Sequence, residues 1–342
     1  MKAVCINNFG SYDAVDYMDF KEPEINPDKV IVKVKASSIN HLDLWVRRGI
    51  KSIPISFPHI LGSDASGIIV DVGKNVSGWK VGDEIIVQPG IYCKDCVYCK
   101  QKMENYCDTY SILGENVMGV QAQYISLNPE NIFLKPSNIG FKEVASMPLV
   151  FMTAFQMLVV RGNIKAGDNV LIYGATSGIG SAAIQIAKDY GAKVYSTAGS
   201  DQKMQFASKL GSDHVVNHNN PDWLEKMRVL LSGSKFDIIF EHIGKHTWDE
   251  SLKLLNRGGR IVTCGATTGS SVRIDLTHLF FKQQSIIGST MSNVKSFKIV
   301  IKKIEMGKYI PNVDQIFNFN EAKSAHQYLE DRKQMGKVVL AD

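Results

Sequence analysis

No apolar run in this 342-residue chain approaches the ~20 residues that a membrane-spanning helix needs, so no helical span is expected. No block of like charge is present either: 39 basic and 34 acidic residues are scattered along the chain and leave a net charge of +5. That spread describes a solvated surface and lacks the basic and aromatic strip that nucleic acid requires, so neither a membrane nor a nucleic acid is an expected partner. There is no internal repeat and no low-complexity segment. The opening residues, MKAVCINNFG, enter strand-like sequence without the pattern of a secretory signal, and the expectation is a cytoplasmic protein. What remains is an ordinary globular composition, 44% hydrophobic and 21% charged, in a chain long enough for two domains and a large core.

The chain is organised around Asn169 to Val194, NVLIYGATSGIGSAAIQIAKDYGAKV. Val170, Leu171 and Ile172 form a strand too apolar to have one face in water, as parallel strands covered on both sides are. Gly174, Gly178 and Gly180 let the backbone turn sharply and approach a pyrophosphate, whose charge suits the free N–H groups at the start of the helix that follows. In that helix Ala183, Ile186, Ala187 and Tyr190 recur at three- and four-residue spacing, with Gly191 as its stop. A glycine-rich turn alone is a weak signal and fits an ordinary α/β core. This one lies between a strand and a helix and is followed by a second strand, Lys193 to Thr197, which is the context a dinucleotide site needs.

On either side of this stretch the pattern differs. Val30, Val32 and Val34 alternate with Lys33 and Lys35 as in a half-buried antiparallel strand, and further strands are expected at Ser66 to Val72 and Glu84 to Val87. The first ~125 residues therefore predict a β-rich, partly barrel-like domain. From about residue 140, strands at 170–173, 193–197, 214–216, 237–241 and 260–264 alternate with helical patterns, which predicts a parallel sheet wound with helices. The helix after Ser200 should stop at Gly211, and the one after Lys245 should begin with Thr247 and Glu250 as a capping box. A strand from Ser285 to Ser289 and a helix from about Val294 to Met306 follow. The strand-like end, Gly336 to Leu340, returns to the first domain.

Four of the six cysteines, Cys93, Cys96, Cys99 and Cys107, fall within a loop that carries no helix or strand pattern. A reducing compartment, the i, i+3 spacing and the number four all favour a closed tetrahedral zinc site over disulfides, and a filled shell makes a structural ion. An iron–sulfur cluster is the alternative, although the bacterial run has three residues and a proline around its fourth cysteine. Free thiols in a plain loop remain open as well. Cys5 and Cys264 lie in apolar runs and read as buried core residues.

Together these features resemble the medium-chain dehydrogenase/reductase superfamily, which includes zinc alcohol dehydrogenases and quinone oxidoreductases. The resemblance covers essentially the whole chain. Its markers are Asn40 to Gly49 (NHLDLWVRRG), Leu61 to Asp64 (LGSD), the four cysteines and Ala198 to Lys203 (AGSDQK). It implies a Rossmann doubly wound parallel sheet, strand order 3-2-1-4-5-6, inserted in a β-rich GroES-like catalytic domain with the zinc lobe at about 90–110. The catalytic portions would be 1–145 and 295–342, and the nucleotide-binding domain 146–294. By the same analogy the protein pairs with itself, as a homodimer or homotetramer.

The catalytic zinc ligands of the alcohol dehydrogenases, a Cys, a His and a second Cys, have no counterparts here. Asn40 stands at the first, the Gly-His-Glu motif reads Gly62, Ser63 and Asp64, and the second cysteine falls near Leu149. Leu42 takes the place of the residue that relays the alcohol proton. These departures resemble the quinone oxidoreductase branch, which reduces conjugated carbonyls with NADPH and no catalytic metal. A zinc site rebuilt from His41, His59 and Asp64, and hence an alcohol dehydrogenase, is the alternative, as is a satisfied structural role for each histidine.

The resemblance places Asn40, His41, Asp43 and Asp64 around the reacting carbonyl, with Thr153 among the catalytic residues and near the nicotinamide. It assigns the cofactor to Gly174, Thr176, Ser177, Gly178, Ile179, Gly180, Ser200, Lys203, His218, Gly265, Ala266, Ser289, Thr290 and Lys337. Ala198 stands where NAD-specific domains carry an acidic residue, and Ser200 with Lys203 follows where relatives bind a 2′-phosphate, so NADP is expected ahead of NAD. Asp201 should point outward. Trp45, Phe57 and Phe151 are candidate walls for a carbonyl, quinone or alcohol substrate. The competing class is a non-catalytic NADPH-binding structural protein.

Overall fold

Alternation from Val30 onward buries Val30, Val32 and Val34 and leaves Lys33 and Lys35 in solvent, and the strand it makes, Val30–Ile39, is the spine of the first sheet. In the computed structural model, which describes residues 1–342, this sheet has seven strands. Val30–Ile39 pairs antiparallel with Asp64–Val72 on one side and with Lys337–Ala341 on the other, and also with Tyr124–Leu127. Glu84–Val87 and Ile132–Leu134 extend one edge, and Val313–Phe317 runs parallel to Lys337–Ala341 at the other. The C-terminal strand thus completes a sheet begun 300 residues earlier. Its core joins Val4, Ile6, Leu44, Leu61, Ile69, Val87, Leu127 and Leu340, all essentially out of water, and each such side chain contributes on the order of 1.5–3 kcal/mol.

This sheet belongs to one compact unit, Met1–Leu149 with Asn293–Asp342; Val150–Ser292 forms a second. The second is built on six parallel strands whose spatial order is third, second, first, fourth, fifth, sixth: Asn169–Ile172, Lys193–Ala198, His214–Asn217, Phe236–Glu241, Leu255–Thr263 and Ser285–Gly288. Both faces of the first strand are buried, which is why Val170, Leu171 and Ile172 show no polar alternation. The Gly178–Asp189 helix follows and ends at Gly191, whose φ of +76° suits a residue without Cβ.

Three expectations are corrected. Thr247 precedes the Trp248–Leu254 helix but forms no capping box: its hydroxyl donates to Glu241 Oε2 (2.8 Å), a buried carboxylate that outcompetes the helix N-terminus, while Glu250 pairs with Lys253. The cysteine loop is not featureless, because Val97–Lys100 makes one helical turn with the Cys96 thiolate position accepting from the Cys99 N–H. Cys5 is fully buried, whereas Cys264, just past the fifth parallel strand, is only half-buried. No helix is long and apolar enough to cross a membrane.

Candidate functional site

The four cysteines converge. Their sulfur atoms all lie within 4.8 Å of one another, with Cys93 and Cys99 3.9 Å apart. A tetrahedron with metal–sulfur bonds of about 2.3 Å has edges of about 3.8 Å, so the set fits a closed four-thiolate zinc site. The backbone prepares it: Cys96 N–H donates to Cys93 Sγ (3.3 Å), Cys99 N–H to Cys96 Sγ (3.5 Å) and Cys93 N–H to Cys107 Sγ (3.4 Å). The Cys99 N–H pulls the Cys96 thiol below its ordinary pKa, which favours the thiolate a metal requires. No other group of three or more His, Cys, Asp or Glu side chains brings its ligand atoms together. His41, His59 and Asp64 therefore form no second cluster. His59 is buried with Nε2 3.3 Å from the Gly114 carbonyl, and burial lowers its pKa.

The glycine turn of the second unit has the shape of a dinucleotide cradle. Gly174 has φ +60°, and a Cβ on Gly180 would meet the Gly174 carbonyl oxygen at 2.3 Å, so the helix can approach its strand this closely only with glycine there. Ser177 caps the helix by accepting the Gly180 N–H (3.0 Å), and Gly178 and Ile179 open its first turn, where N–H groups have no intrahelical acceptor. Thr176 is buried beside them. At the second strand, buried Ala198 leads through Gly199 to Ser200, which caps the Asp201–Lys209 helix and accepts the Lys203 N–H (3.3 Å). Asp201 is exposed, Lys203 half-buried and His218 exposed close to Gly199. Gly265 and Ala266 follow the fifth strand, and Ser289 and Thr290 the sixth, at the carboxyl ends where open α/β sheets bind ligands. Thr153 lies 4.0 Å from Met291 Sδ in the same region. The Ser289 hydroxyl is buried without a protein partner, an acceptor–donor pair suited to a cofactor hydroxyl or amide.

Two residues in this region were not anticipated. His242 packs against the turn, its Cε1 3.4 Å from where a Gly174 Cβ would be, and Nε2 donates to the Tyr173 carbonyl (2.9 Å); burial lowers its pKa and keeps the ring neutral. Asn219 donates to the Gly199 carbonyl (2.8 Å). The readable signal was position alone, since His242 follows the fourth parallel strand at its carboxyl end.

In the first unit Asn40, Asp64 and Lys337 meet at the end of the sheet. Asp64 Oδ2 accepts from Asn40 Nδ2 (2.8 Å), Ser38 Oγ (3.1 Å) and Lys337 Nζ (3.2 Å), and Oδ1 from the Leu149 N–H (2.9 Å). Lys337 Nζ also donates to Asn40 Oδ1. Both of these Lys337 contacts lie within the first unit, and burial pushes its pKa down. Asp43 is a clasp between loops, accepting the N–H groups of Asn40 (2.7 Å) and Gly62 (3.0 Å), and burial pushes its carboxyl up to about 7. His41, half-buried, opens the His41–Arg48 helix. Of the candidate walls, Trp45 is half-buried, Phe57 is exposed and packs edge-on against Phe9, and Phe151 is buried in the second unit.

Residues 26–137 match the family model described as alcohol dehydrogenase GroES-like domain, and 178–306 that of zinc-binding dehydrogenase. A zinc-type alcohol dehydrogenase-like protein of Schizosaccharomyces pombe is 30% identical over 99% of both chains. The quinone oxidoreductase of Homo sapiens is 26% identical over 99% of this chain and 97% of its own. A solved structure of an NAD-dependent alcohol dehydrogenase superposes over 100% of both chains with a TM-score of 0.96 and 40% identity.

Proposed function

We propose that this chain, which belongs to the medium-chain dehydrogenase/reductase superfamily and is an NAD(P)-dependent oxidoreductase, reduces a conjugated carbonyl or quinone with NADPH and uses zinc only as a structural ion. The observation that carries this reading is the pair of side chains Asn40 and Ser63 where the alcohol-oxidising relatives would need metal ligands, together with an Asp64 carboxylate whose two oxygens already serve four donors. Oxidising an alcohol requires removal of a proton of pKa about 16, for which a metal-lowered pKa is the usual device. Reduction of an enone makes a lesser demand on the protein.

When bound, the reduced nicotinamide supplies the hydride. The residues of this chain then have to hold the dinucleotide and stabilise charge. The turn at Gly174–Gly180 would hold the pyrophosphate, Ser200 and Lys203 would hold a 2′-phosphate, and Thr153, Gly265, Ala266, Ser289 and Thr290 would hold the nicotinamide ribose and ring. The Asn40 amide N–H would donate to the substrate's carbonyl oxygen, where negative charge develops on reduction; a single donor of this kind is worth roughly 10²–10³ in kcat. The four thiolates leave no open position on their metal, so the lobe contributes to folding. In a reducing, cytoplasmic setting such thiolates persist.

The 40% identical structure favours a second reading, NAD-dependent alcohol oxidation. One assay separates the two. Metal-independent NADPH oxidation by an enone or quinone panel should exceed NAD(P)⁺ reduction by simple primary alcohols. Strong alcohol oxidation that chelation and His59→Ala both abolish would overturn the first reading in favour of the second.

A further inference from the structure

Asn40, Asp64 and Lys337 are 24 to 297 positions apart in sequence, yet they meet at one end of three neighbouring strands, Asp64 and Lys337 on the two outer ones and Asn40 just past the end of the central Val30–Ile39. Val338 is opposite Ile39 and Asp64 opposite Ser38, so Lys337 comes level with Asn40 on one side of the central strand and Asp64 level with Ser38 on the other. All three are buried, with Lys337 only 4% exposed.

An asparagine amide has two orientations related by a half-turn, close in shape and opposite in polarity. Here a cation faces one end and an anion the other. Lys337 Nζ donates to Oδ1, and Nδ2 donates to Asp64 Oδ2 at 2.8 Å. Turning the amide over would set its NH₂ against an ammonium and its carbonyl against a carboxylate, two repulsive contacts in a buried site where charges interact strongly. Nδ2 carries two N–H bonds and the Asp64 contact uses one, so the amide retains a second donor.

We infer that Lys337 and Asp64 act as a polarity clamp that locks the Asn40 amide with its remaining N–H available to the substrate's carbonyl oxygen, which makes Lys337 a positioning residue. This rests on the reading that Asn40 receives the carbonyl oxygen of an enone or quinone. The ammonium also polarises the amide toward Oδ1, which strengthens its N–H groups as donors.

The test is a double-mutant cycle on the full chain: Lys337→Met, Asn40→Ala and the pair, each measured for steady-state enone reduction and for NADPH and NADH binding by fluorescence titration. Lys337→Gln is the companion variant, because it keeps an N–H donor toward Oδ1 without the charge and tolerates burial if Met leaves Asp64 too poorly matched to fold. Lys337→Met should lower kcat by about 10–100-fold, short of or equal to the loss of one transition-state donor, with dinucleotide affinity within about twofold of wild type. Lys337→Gln should fall between, and Lys337→Met should cost nothing further once Asn40 is Ala. Additive losses in the cycle would overturn the clamp, as would a tenfold weaker dinucleotide affinity in Lys337→Met or Lys337→Gln with kcat at saturating cofactor unchanged. A wild type that reduces no enone or quinone would instead sink the functional reading on which the clamp rests, so the two failures are distinguishable.

Discussion

His326 is completely buried, with Arg47 Nη1 3.5 Å from its Nδ1, and Arg47 is itself buried and paired with Glu330 at 2.5 Å. Burial first, then the neighbouring guanidinium, lowers the His326 pKa to about 3 from an ordinary 6.5. The neutral ring is the folded form, so between these values the unfolded chain binds a proton that the folded chain does not. Stability is therefore undiminished above about pH 6.5 and falls on acidification toward pH 3, by about 1.4 kcal/mol per pH unit from this residue. Thermal melts across that window should show a shallower acid slope in His326→Gln than in wild type; equal slopes would refute the assignment. Lys203 carries a prediction of another kind. Ala198 offers no carboxylate to repel a 2′-phosphate, and Lys203 lies at the first turn of the capped helix that follows. Lys203→Ala should reduce the preference for NADPH over NADH by about tenfold or more, the worth of one hydrogen bond to a charged group, and an unchanged ratio of efficiencies would remove this residue from the cofactor site.

The cysteine lobe and the glycine turn are both local elements, and both were legible for that reason. Spacings of two, two and seven residues put four sulfurs within one metal's reach because a single turn, Val97–Lys100, spans the tightest part. Purified protein should contain about one zinc per chain, and Cys99→Ser should lose it and melt at a markedly lower temperature, since a closed structural site contributes folding free energy. A metal-free lobe of unchanged stability would contradict that role. The Trp248–Leu254 helix shows how local reading fails. Thr247 and Glu250 have capping-box spacing, but Glu241 is buried nearby, accepts the N–H groups of Ile243 (2.6 Å) and Gly244 (3.0 Å) as well, and draws the threonine hydroxyl to itself. A buried carboxylate has more to lose from missing a donor than a helix end in contact with solvent.

For the whole molecule, the edge of the parallel sheet is the exposed feature of consequence. Ser285–Gly288 is its last strand, and the Leu276–Phe281 helix before it leaves Leu276, Phe280 and Phe281 about two-thirds exposed. An unpaired strand edge beside apolar side chains invites a second copy, and we expect a homodimer through this edge. Light scattering should give twice the chain mass for wild type and the single mass for Phe280→Asp/Phe281→Asp; a monomeric wild type at tens of micromolar would refute it. The sequence by itself determined the alternating strands and helices of a wound sheet, the β-rich companion and the four-cysteine lobe, because period, glycine placement and short spacing act over a few residues and survive any tertiary context; the strand order came only with the family resemblance. Tertiary structure alone decided which polar residues meet. Lys337, grouped with the cofactor by resemblance, is 273 positions from Asp64 and meets it and Asn40 only because Lys337–Ala341 returns to pair with Val30–Ile39. His242 reaches the glycine turn because parallel pairing sets the ends of the first and fourth strands side by side. Such neighbours are chosen by sheet register and burial, and a linear sequence states neither.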